Sequence, residues 1–286
     1  MQVAELDEGN TSGGLGGRSE PTFAGVLASL SHLDLYRGFR AAPLWTLLGW
    51  TDIRLRYRRS VLGPFWITIS MTVLIVVLGL IYSKIFKTDI RTYLPYLALG
   101  FIVWGFIAAS INESCGAFQD SERIIKQVGI PLSAFAFRVV WRNFIVLLHT
   151  IILVIPIWLI FKIVPGPVSL LALPGIVLVF LNQCWLGVCL AVVSTRFRDV
   201  PPIVGTIIQI TVFATPIMWP ISSLGDNYWI ANVNPFYHLI EVVRGPLSGE
   251  APQLLSWEFT IIADLFGIAL AAWLLQQTRR KIVYWL

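Results

Sequence analysis

Charged residues, cysteines and metal-ligand patterns are scarce in this sequence. Only 13% of the 286 residues are charged, whereas a soluble globular domain carries about 25%, so a water-solvated globular surface is excluded. Three cysteines, all within or beside apolar runs, are too few for a disulfide framework. His149 has no second His or Cys at metal spacing, and no acidic metal cluster or glycine-rich phosphate loop is present. We therefore predict no metal, no cofactor and no ATP hydrolysis on this chain itself.

Long apolar runs are abundant instead. Apolar residues make up 56% of the chain, and the mean hydropathy is +0.75. A bilayer core about 30 Å thick needs roughly 17 to 25 apolar residues in a helix, and six segments reach that length. They are approximately 62–83, 94–112, 139–161, 170–193, 202–219 and 257–275. The sequence therefore predicts an all-α membrane protein with six transmembrane helices.

The distribution of Lys and Arg sets the expected orientation. An even number of spans places both termini on one side, and most of the 21 basic residues fall on that side. The exceptions are Lys84, Lys87, Arg91, Lys162 and Arg244. The positive-inside rule then predicts that both termini are cytoplasmic. The pI of 9.3 is thereby explained by topology, and no nucleic-acid partner is expected.

The predicted organisation has four parts. Residues 1–30, which are glycine-rich and lack the basic start and apolar middle of a secretory signal, are expected to form a disordered cytoplasmic tail. Residues 31–60 form a cytoplasmic segment, 61–276 the six-span domain, and 277–286 a cytoplasmic C-terminal tail.

An amphipathic helix is predicted just before the first span. Leucines recur there at helical spacing, and Trp45 and Trp50 are typical of interfacial anchors. Arg56 is expected to pair with Asp52 one turn back. Gly63-Pro64 then breaks this helix before the next one begins. We predict an interface helix in the plane of the cytoplasmic leaflet, with a plain membrane anchor as the alternative.

Residues 220–250 are too apolar for an ordinary loop and too interrupted to cross the bilayer. Asn234-Pro235 predicts a helix start, and Gly245-Pro246 predicts its stop. A first short element, Ile221 to Leu224, would turn back at Gly225. This pattern predicts two short re-entrant helices that gate the outer side before the last span; an interfacial loop packed on the bundle is the alternative.

Few ionisable side chains lie inside the predicted spans. His149 is interpreted as a neutral interhelical hydrogen-bonding residue rather than a proton relay. Asp264 is either a packing contact or part of a polar pathway, and Glu113 lies at the inner end of the second span.

Aromatic residues make up 13% of the chain. Most are expected to anchor the protein at the membrane edges, but several lie deeper than an anchor requires. Their ring faces, with few fixed charges nearby, suit a long sugar chain and would also suit a lipid or a drug. The candidate substrate-pathway residues are Phe65, Trp66, Phe101, Trp104, Phe213 and Trp219.

Several segments resemble a known family. The segment from Asp52 to Trp66 is similar to the signature that opens the membrane subunit of ABC-2-type polysaccharide exporters, the family of O-antigen, capsule and teichoic-acid permeases. Arg196 to Val200 resembles the family's second cytoplasmic loop. Ala214 to Pro220 and Asn234 to Gly245 resemble its outer gate region. Residues 121–131 keep the family's Ile-Lys and final Pro but have Gly-Ile where an aromatic commonly precedes that Pro.

The resemblance implies an ATP-driven exporter of a lipid-linked or nascent polysaccharide. It implies a homodimer in the bacterial plasma (inner) membrane, with a channel at the dimer interface and two copies of a separate ATPase chain that hold ATP and Mg. The residues that receive the ATPase motion would be Asp52, Arg54, Arg56, Arg58, Arg59, Glu122, Arg123, Lys126, Arg198 and Asp199. The outer gate would include Pro220, Asn234, Pro235, Tyr237 and Arg244.

Three other functions stay open. The same fold could export a lipid or a drug. A membrane-embedded transferase would have to use acid and base groups that form no recognised constellation: His149, Glu113, His238 and Glu241. A proton-coupled transporter would depend on Asp264 or His149.

Overall fold

The structure, a computed structural model, describes residues 34–58, 60, 63, 65–251 and 253–286. The predicted tail 1–30 and the predicted coupling residue Arg59 lie outside the described residues. Within them the chain forms twelve α-helices and no strand, as expected for the predicted all-α class. The helices are α1 Asp34–Arg40, α2 Ala42–Arg56, α3 Phe65–Ile85, α4 Ile90–Ser114, α5 Glu122–Gln127, α6 Ser133–Thr150, α7 Val154–Phe161, α8 Ala172–Arg196, α9 Val200–Ala214, α10 Trp229–Asn232, α11 Pro235–Leu247 and α12 Leu254–Trp285.

Five helical segments are long and apolar enough to cross a membrane. They are Phe65–Ile85, Ile90–Ser114, Ser133–Phe161, Pro167–Arg196 and Leu254–Trp285. The third joins α6 and α7 through the 3₁₀ turn Ile151–Leu153, and the fourth joins the 3₁₀ turn Pro167–Leu171 to α8. Five of the six predicted spans therefore coincide with helices of sufficient length.

The remaining predicted span, the fifth along the chain at 202–219, forms a helix that is shorter than expected. Helix α9 has 15 residues, which reach about 22 Å. It ends at Ala214 because Thr215, the residue before Pro216, adopts the extended conformation (φ −96°, ψ 139°) that proline imposes on its predecessor. The apolar run continues past this point in a non-helical backbone.

Helix α4 forms the centre of the bundle. Most of its residues are buried inside the protein, whereas most residues of α3 are exposed. Helix α4 packs against α3, α6, α8, α9 and α11. One face of the bundle, formed by α3, is thus left largely uncovered within one chain.

Helices α1 and α2 are attached to the start of α6. The Asp34 carboxylate accepts hydrogen bonds from the backbone N–H of Leu132 (3.1 Å) and of Ser133 (2.9 Å), at the helix end where a negative charge is favoured. Trp45 Nε1 donates to the Gly38 carbonyl at 3.1 Å. Trp45 is 6% exposed and packs inside the protein, so its predicted role as an interfacial anchor is wrong, while Trp50 remains 48% exposed.

A break between the two helices is present, as predicted, although Pro64 itself lies outside the described residues. Helix α2 ends at Arg56 and α3 begins at Phe65. Gly63, between them, has φ +54°, a conformation that favours glycine.

The segment before the last helix contains short helices. A 3₁₀ segment covers Ile221–Asn227 with Gly225 at φ +52°, as the predicted turn required. Asn234 caps α11, because its Oδ1 accepts from the backbone N–H of Phe236 at 3.0 Å. Helix α11 does not stop at Gly245-Pro246 as predicted but continues to Leu247.

The reason for this continuation lies in the packing around Pro246. Pro246 has no backbone N–H, so the carbonyl of Val242, four residues earlier, receives no helical hydrogen bond from it. Gly175 of α8 packs directly against that carbonyl. The next turn is then closed by the Ser248 backbone N–H, which donates to the Arg244 carbonyl at 2.9 Å.

Candidate functional site

A cluster of charged side chains joins α2 to α6. Arg138 Nε and Nη2 donate to the two carboxylate oxygens of Asp52 at 2.7 and 2.5 Å. Arg142 Nη1, one turn further along α6, donates to Asp52 at 3.1 Å. The two-pronged contact of a guanidinium with a carboxylate is among the strongest hydrogen-bonded ion pairs.

The cluster continues to the end of α4. Glu113 accepts hydrogen bonds from Arg142 Nη2 at 2.7 Å and from Asn143 Nδ2 at 2.8 Å. Its other oxygen accepts from Arg56 Nη2 at 3.1 Å. Arg56 therefore pairs with Glu113, and the predicted pairing of Arg56 with Asp52 is wrong, because Asp52 faces the arginines of α6.

We call these residues the basic-end network, and the end of the bundle that carries them the basic end. Its members are Asp52, Arg56, Glu113, Arg138, Arg142 and Asn143. Three arginines face two carboxylates, and the side chains other than Arg56 are at least two-thirds buried. In such a setting, loss of one partner leaves an uncompensated charge. The network thus fixes α2, α4 and α6 relative to one another.

Sequence reasoning missed Arg138, Arg142 and Asn143 as site residues. The available signal was their position: Arg142 and Asn143 fall inside the predicted span 139–161, where a charge needs a partner.

The other predicted coupling residues lie on the surface. Helix α5 carries an exposed Arg123 and the pair Lys126–Glu122, with Nζ and Oε1 2.7 Å apart. The hydrogen bond from Lys126 lowers the pKa of the Glu122 carboxyl. Arg54, Arg58, Arg198 and Asp199 are also exposed.

The α4–α5 connection is held close to the turn that contains Arg198 and Asp199. Gln119 Nε2 donates to the Ser194 carbonyl near the end of α8 at 3.0 Å. This contact brings two predicted coupling segments, α5 and residues 196–200, to the same end of the bundle.

At the opposite end, side chains hold the non-helical backbone after α9. We call Thr215–Pro220 the tethered loop. The Tyr93 hydroxyl donates to the Met218 carbonyl, and the Tyr96 hydroxyl donates to the Pro216 carbonyl at 2.8 Å. Arg244 Nη1 donates to the same Pro216 carbonyl at 2.7 Å.

Arg244 is the charged centre of this arrangement. It is 3% exposed, and Nη2 and Nε donate to Glu241 Oε2 at 2.7 and 3.1 Å. Its guanidinium carbon lies 4.1 Å from the centre of the Tyr96 ring. A carboxylate, a carbonyl and a ring face together compensate the burial of this cation.

Two of the predicted outer-gate residues, Asn234 and Arg244, contact the tethered loop, and Pro220 is its last residue. Asn234 Nδ2 donates to the Thr215 hydroxyl at 3.0 Å, Tyr237 is buried, Pro220 is half-buried, and Pro235 is exposed at the start of α11. The sequence did not indicate that Tyr93 and Tyr96, on α4, would hold the same loop.

The predicted pathway aromatics occupy two different environments. Phe65 and Trp66 are each 59% exposed and Phe213 is 64% exposed. Phe101 and Trp104 are buried in the core; the Trp104 ring packs edge-on against Phe236 at 5.6 Å. Trp219 is half-buried, and its Nε1 donates to the Phe213 carbonyl at 2.9 Å.

The remaining ionisable residues are engaged in separate local contacts. Asp264 Oδ1 accepts from Asn182 Nδ2 at 3.2 Å and from Trp185 Nε1 at 3.0 Å, linking α12 to α8. His149 Nδ1 lies 2.8 Å from the Ile145 carbonyl of its own helix. His238 lies between the Ser256 hydroxyl and the Asn232 carbonyl. Among the described residues, no three His, Cys, Asp or Glu side chains are grouped to hold a metal ion.

A bundle of long apolar helices, with a charged network at one end and a tethered loop at the other, defines a multi-pass membrane protein. Residues 43–247 match the ABC-2 type transporter family. The chain belongs to this family, and the resemblance stated from the sequence is confirmed.

Three relatives of the same name, from two organisms, support the match. The O-antigen export system permease protein RfbA of Myxococcus xanthus is 25% identical over 180 residues, which cover 62% of this chain and 68% of that protein. Two proteins of the same name from Klebsiella pneumoniae are 24% identical over 194 residues, which cover 66% of this chain and 74% of each.

Proposed function

We propose that this chain is the transmembrane subunit of an ATP-driven polysaccharide exporter. Two copies would form a channel at their interface in the bacterial inner membrane and move a lipid-linked or nascent polysaccharide out of the cytoplasm. Two copies of a separate subunit would hold and hydrolyse ATP with Mg. The family match and the names of the relatives support the transport class.

The orientation follows from charge. The arginine-rich turns and helix ends around α2, α5 and residues 196–200 lie together at the basic end. The positive-inside rule places such an end in the cytoplasm. The exposed residues Arg54, Arg58, Arg123, Arg198 and Asp199 would then face a cytoplasmic ATPase.

The observation that carries the proposal is the basic-end network. Because ion pairs of 2.5–3.1 Å join α2 to α4 and α6, a push on α2 would move all three helices together. An ATPase cycle would thereby become a change in helix arrangement, provided that the two states bind the ATPase differently.

The uncovered faces of α3 and α9 support the position of the channel. Helix α3 is exposed along most of its length, and Ile208 is the buried residue of α9. Phe65, Trp66 and Phe213 lie on these exposed helices and would line the path, where ring faces can stack on the apolar faces of sugars. Phe101 and Trp104 are buried in the core, so they would pack beneath the residues that line the path and would not contact the sugar.

The tethered loop would control the outer exit. Three side chains from α4 and α11 hold its carbonyls, so opening would require these bonds to break or to move together with α4. Non-helical backbone at membrane depth survives only where protein or water shields it, which matches a position at a channel mouth.

The decisive experiment is reconstitution with the ATPase subunit that the proposal requires, identified by its co-purification with this chain. Vesicles that contain both subunits should take up a lipid-linked polysaccharide only when ATP is supplied, and an ATPase whose phosphate-binding lysine is replaced serves as the control. Vesicles that hydrolyse ATP yet never move a polysaccharide would contradict the proposal.

A further inference from the structure

A cavity of about 350 Å³ lies between α1 and the bundle. We call it the α1 cavity. Its walls come from α1, α2, α6, α8 and α12, and they include Leu35, Phe39, Trp45, Phe180, Trp185 and Ile268. None of the described residues that line the cavity belongs to the tethered loop or to α3, so the proposed transport path does not account for it.

The chemistry of the walls indicates a hydrocarbon occupant. The two tryptophans that line the cavity offer no free N–H group to a ligand. Trp45 Nε1 donates to the Gly38 carbonyl, and Trp185 Nε1 donates to Asp264 Oδ1. The other wall residues named above are apolar. A polar ligand would lose its hydrogen bonds to water without replacing them, whereas an alkyl chain would lose none.

The cavity begins near the basic end and reaches into the bundle. Asp34 ties the start of α1 to the start of α6, at the basic end. Phe180 lies 16 residues before Arg196, the end of α8, which corresponds to about 24 Å along the helix. The cavity therefore extends from the basic end into the hydrocarbon region.

The charge at the mouth indicates the head group. Arg40 is exposed, and its guanidinium carbon lies 5.1 Å from the centre of the ring of Tyr36, which lines the cavity. Arg37, also exposed, is on the same short helix. Among the described residues neither arginine belongs to an ion pair. A phosphate held at Arg40 would place its acyl chain at the cavity mouth.

We propose that the α1 cavity binds one acyl chain of an anionic phospholipid of the inner leaflet, with its phosphate on Arg40. Bound there, the lipid fills the space beneath α1 and fastens α1 and α2, and through them the basic-end network, to the bundle. The strength with which α2 is held against the bundle would then depend on the head-group charge of the surrounding lipids.

Native mass spectrometry of the full-length chain tests the site, with phosphatidylglycerol and phosphatidylethanolamine of equal chain length as probes. The wild-type chain should retain one phosphatidylglycerol in preference to phosphatidylethanolamine. Arg40→Gln should weaken phosphatidylglycerol binding roughly fivefold and abolish the preference. Arg123→Gln, which removes the same charge from exposed helix α5, is the matched control and should leave both unchanged.

A second pair of variants tests the cavity itself. Ala272→Trp fills it from α12 and should remove the retained lipid whatever its head group. Leu270→Trp, on the same helix at a position that does not line the cavity, should not. Equal retention in Ala272→Trp and wild type would overturn the proposal. It would also be overturned if lipid bound only after deletion of residues 1–30, because the chain's own N-terminal segment would then be the occupant.

Discussion

Asp52 and Arg138 share two hydrogen bonds across 86 positions of sequence, at 2.7 and 2.5 Å. Their contact joins a helix outside the apolar spans to the first turns of a spanning helix. Arg142 and Glu113 extend the contact to α4. The ion pairs therefore connect three helices, and we call this connection the brace.

Asp52→Asn tests the brace. The substitution keeps the shape of the side chain but leaves Arg138 and Arg142 side by side without their shared carboxylate. We expect the free energy of unfolding to fall by about 1–3 kcal/mol, and ATP-driven export to fall more than ATP hydrolysis does. Thermal unfolding of the purified protein and transport by reconstituted vesicles measure the two effects.

Glu122→Gln is the control for that experiment. The Glu122–Lys126 pair is exposed, so its loss should leave the stability nearly unchanged. The brace would have no mechanical role if Asp52→Asn were as stable as Glu122→Gln and if its export fell no more than its ATP hydrolysis.

Removing the Tyr96 hydroxyl should loosen the tethered loop. Tyr96→Phe keeps the ring beneath Arg244 but deletes the bonds to the Pro216 and Trp219 carbonyls. A cysteine placed at the buried position Ile217 should then react several-fold faster with a water-soluble maleimide. Tyr82→Phe, which alters a ring stacked on Phe86, should leave the rate unchanged; an equal rate in both variants would argue against tethering.

The two environments of the pathway aromatics predict two phenotypes. Trp66→Ala and Phe213→Ala remove exposed rings and should reduce glycan export while the amount of folded protein stays the same. Trp104→Ala empties a core position and should cost about 3–5 kcal/mol of stability. Membrane levels and glycan display in a deletion strain distinguish these outcomes, and unchanged export in both exposed variants would remove them from the path.

Gly175→Ala should disturb the contact between α8 and α11. The added methyl group would overlap the Val242 carbonyl, so the helices would have to separate at a cost of about 1–3 kcal/mol. Gly166→Ala is the matched control, because nothing lies within 4 Å of the added carbon. A thermal midpoint for Gly175→Ala equal to that of the control would contradict the close approach.

The spans were predictable because a helix that crosses a bilayer must be long and apolar, and both properties can be read from the sequence. The end of α9 was not, since Ile217 and Trp219 continue the apolar run while Thr215-Pro216 stops the helix. Asn234 as an N-cap is a local signal and was predicted correctly. The partner of Asp52 is not local, so Arg56, one turn along the same helix, was expected in place of Arg138.

Helix α12 runs unbroken from Leu254 to Trp285, a length of about 48 Å against a hydrocarbon thickness of about 30 Å. Its final turns, expected from the sequence to be a separate tail, remain helical, and the Trp285 ring lies 5.3 Å from the guanidinium of Arg196. A fluorescent probe fused directly after Leu286 would therefore be held by a rigid helix beside the α8–α9 turn. Its distance to a labelled ATPase subunit would report how the two proteins move during each nucleotide cycle.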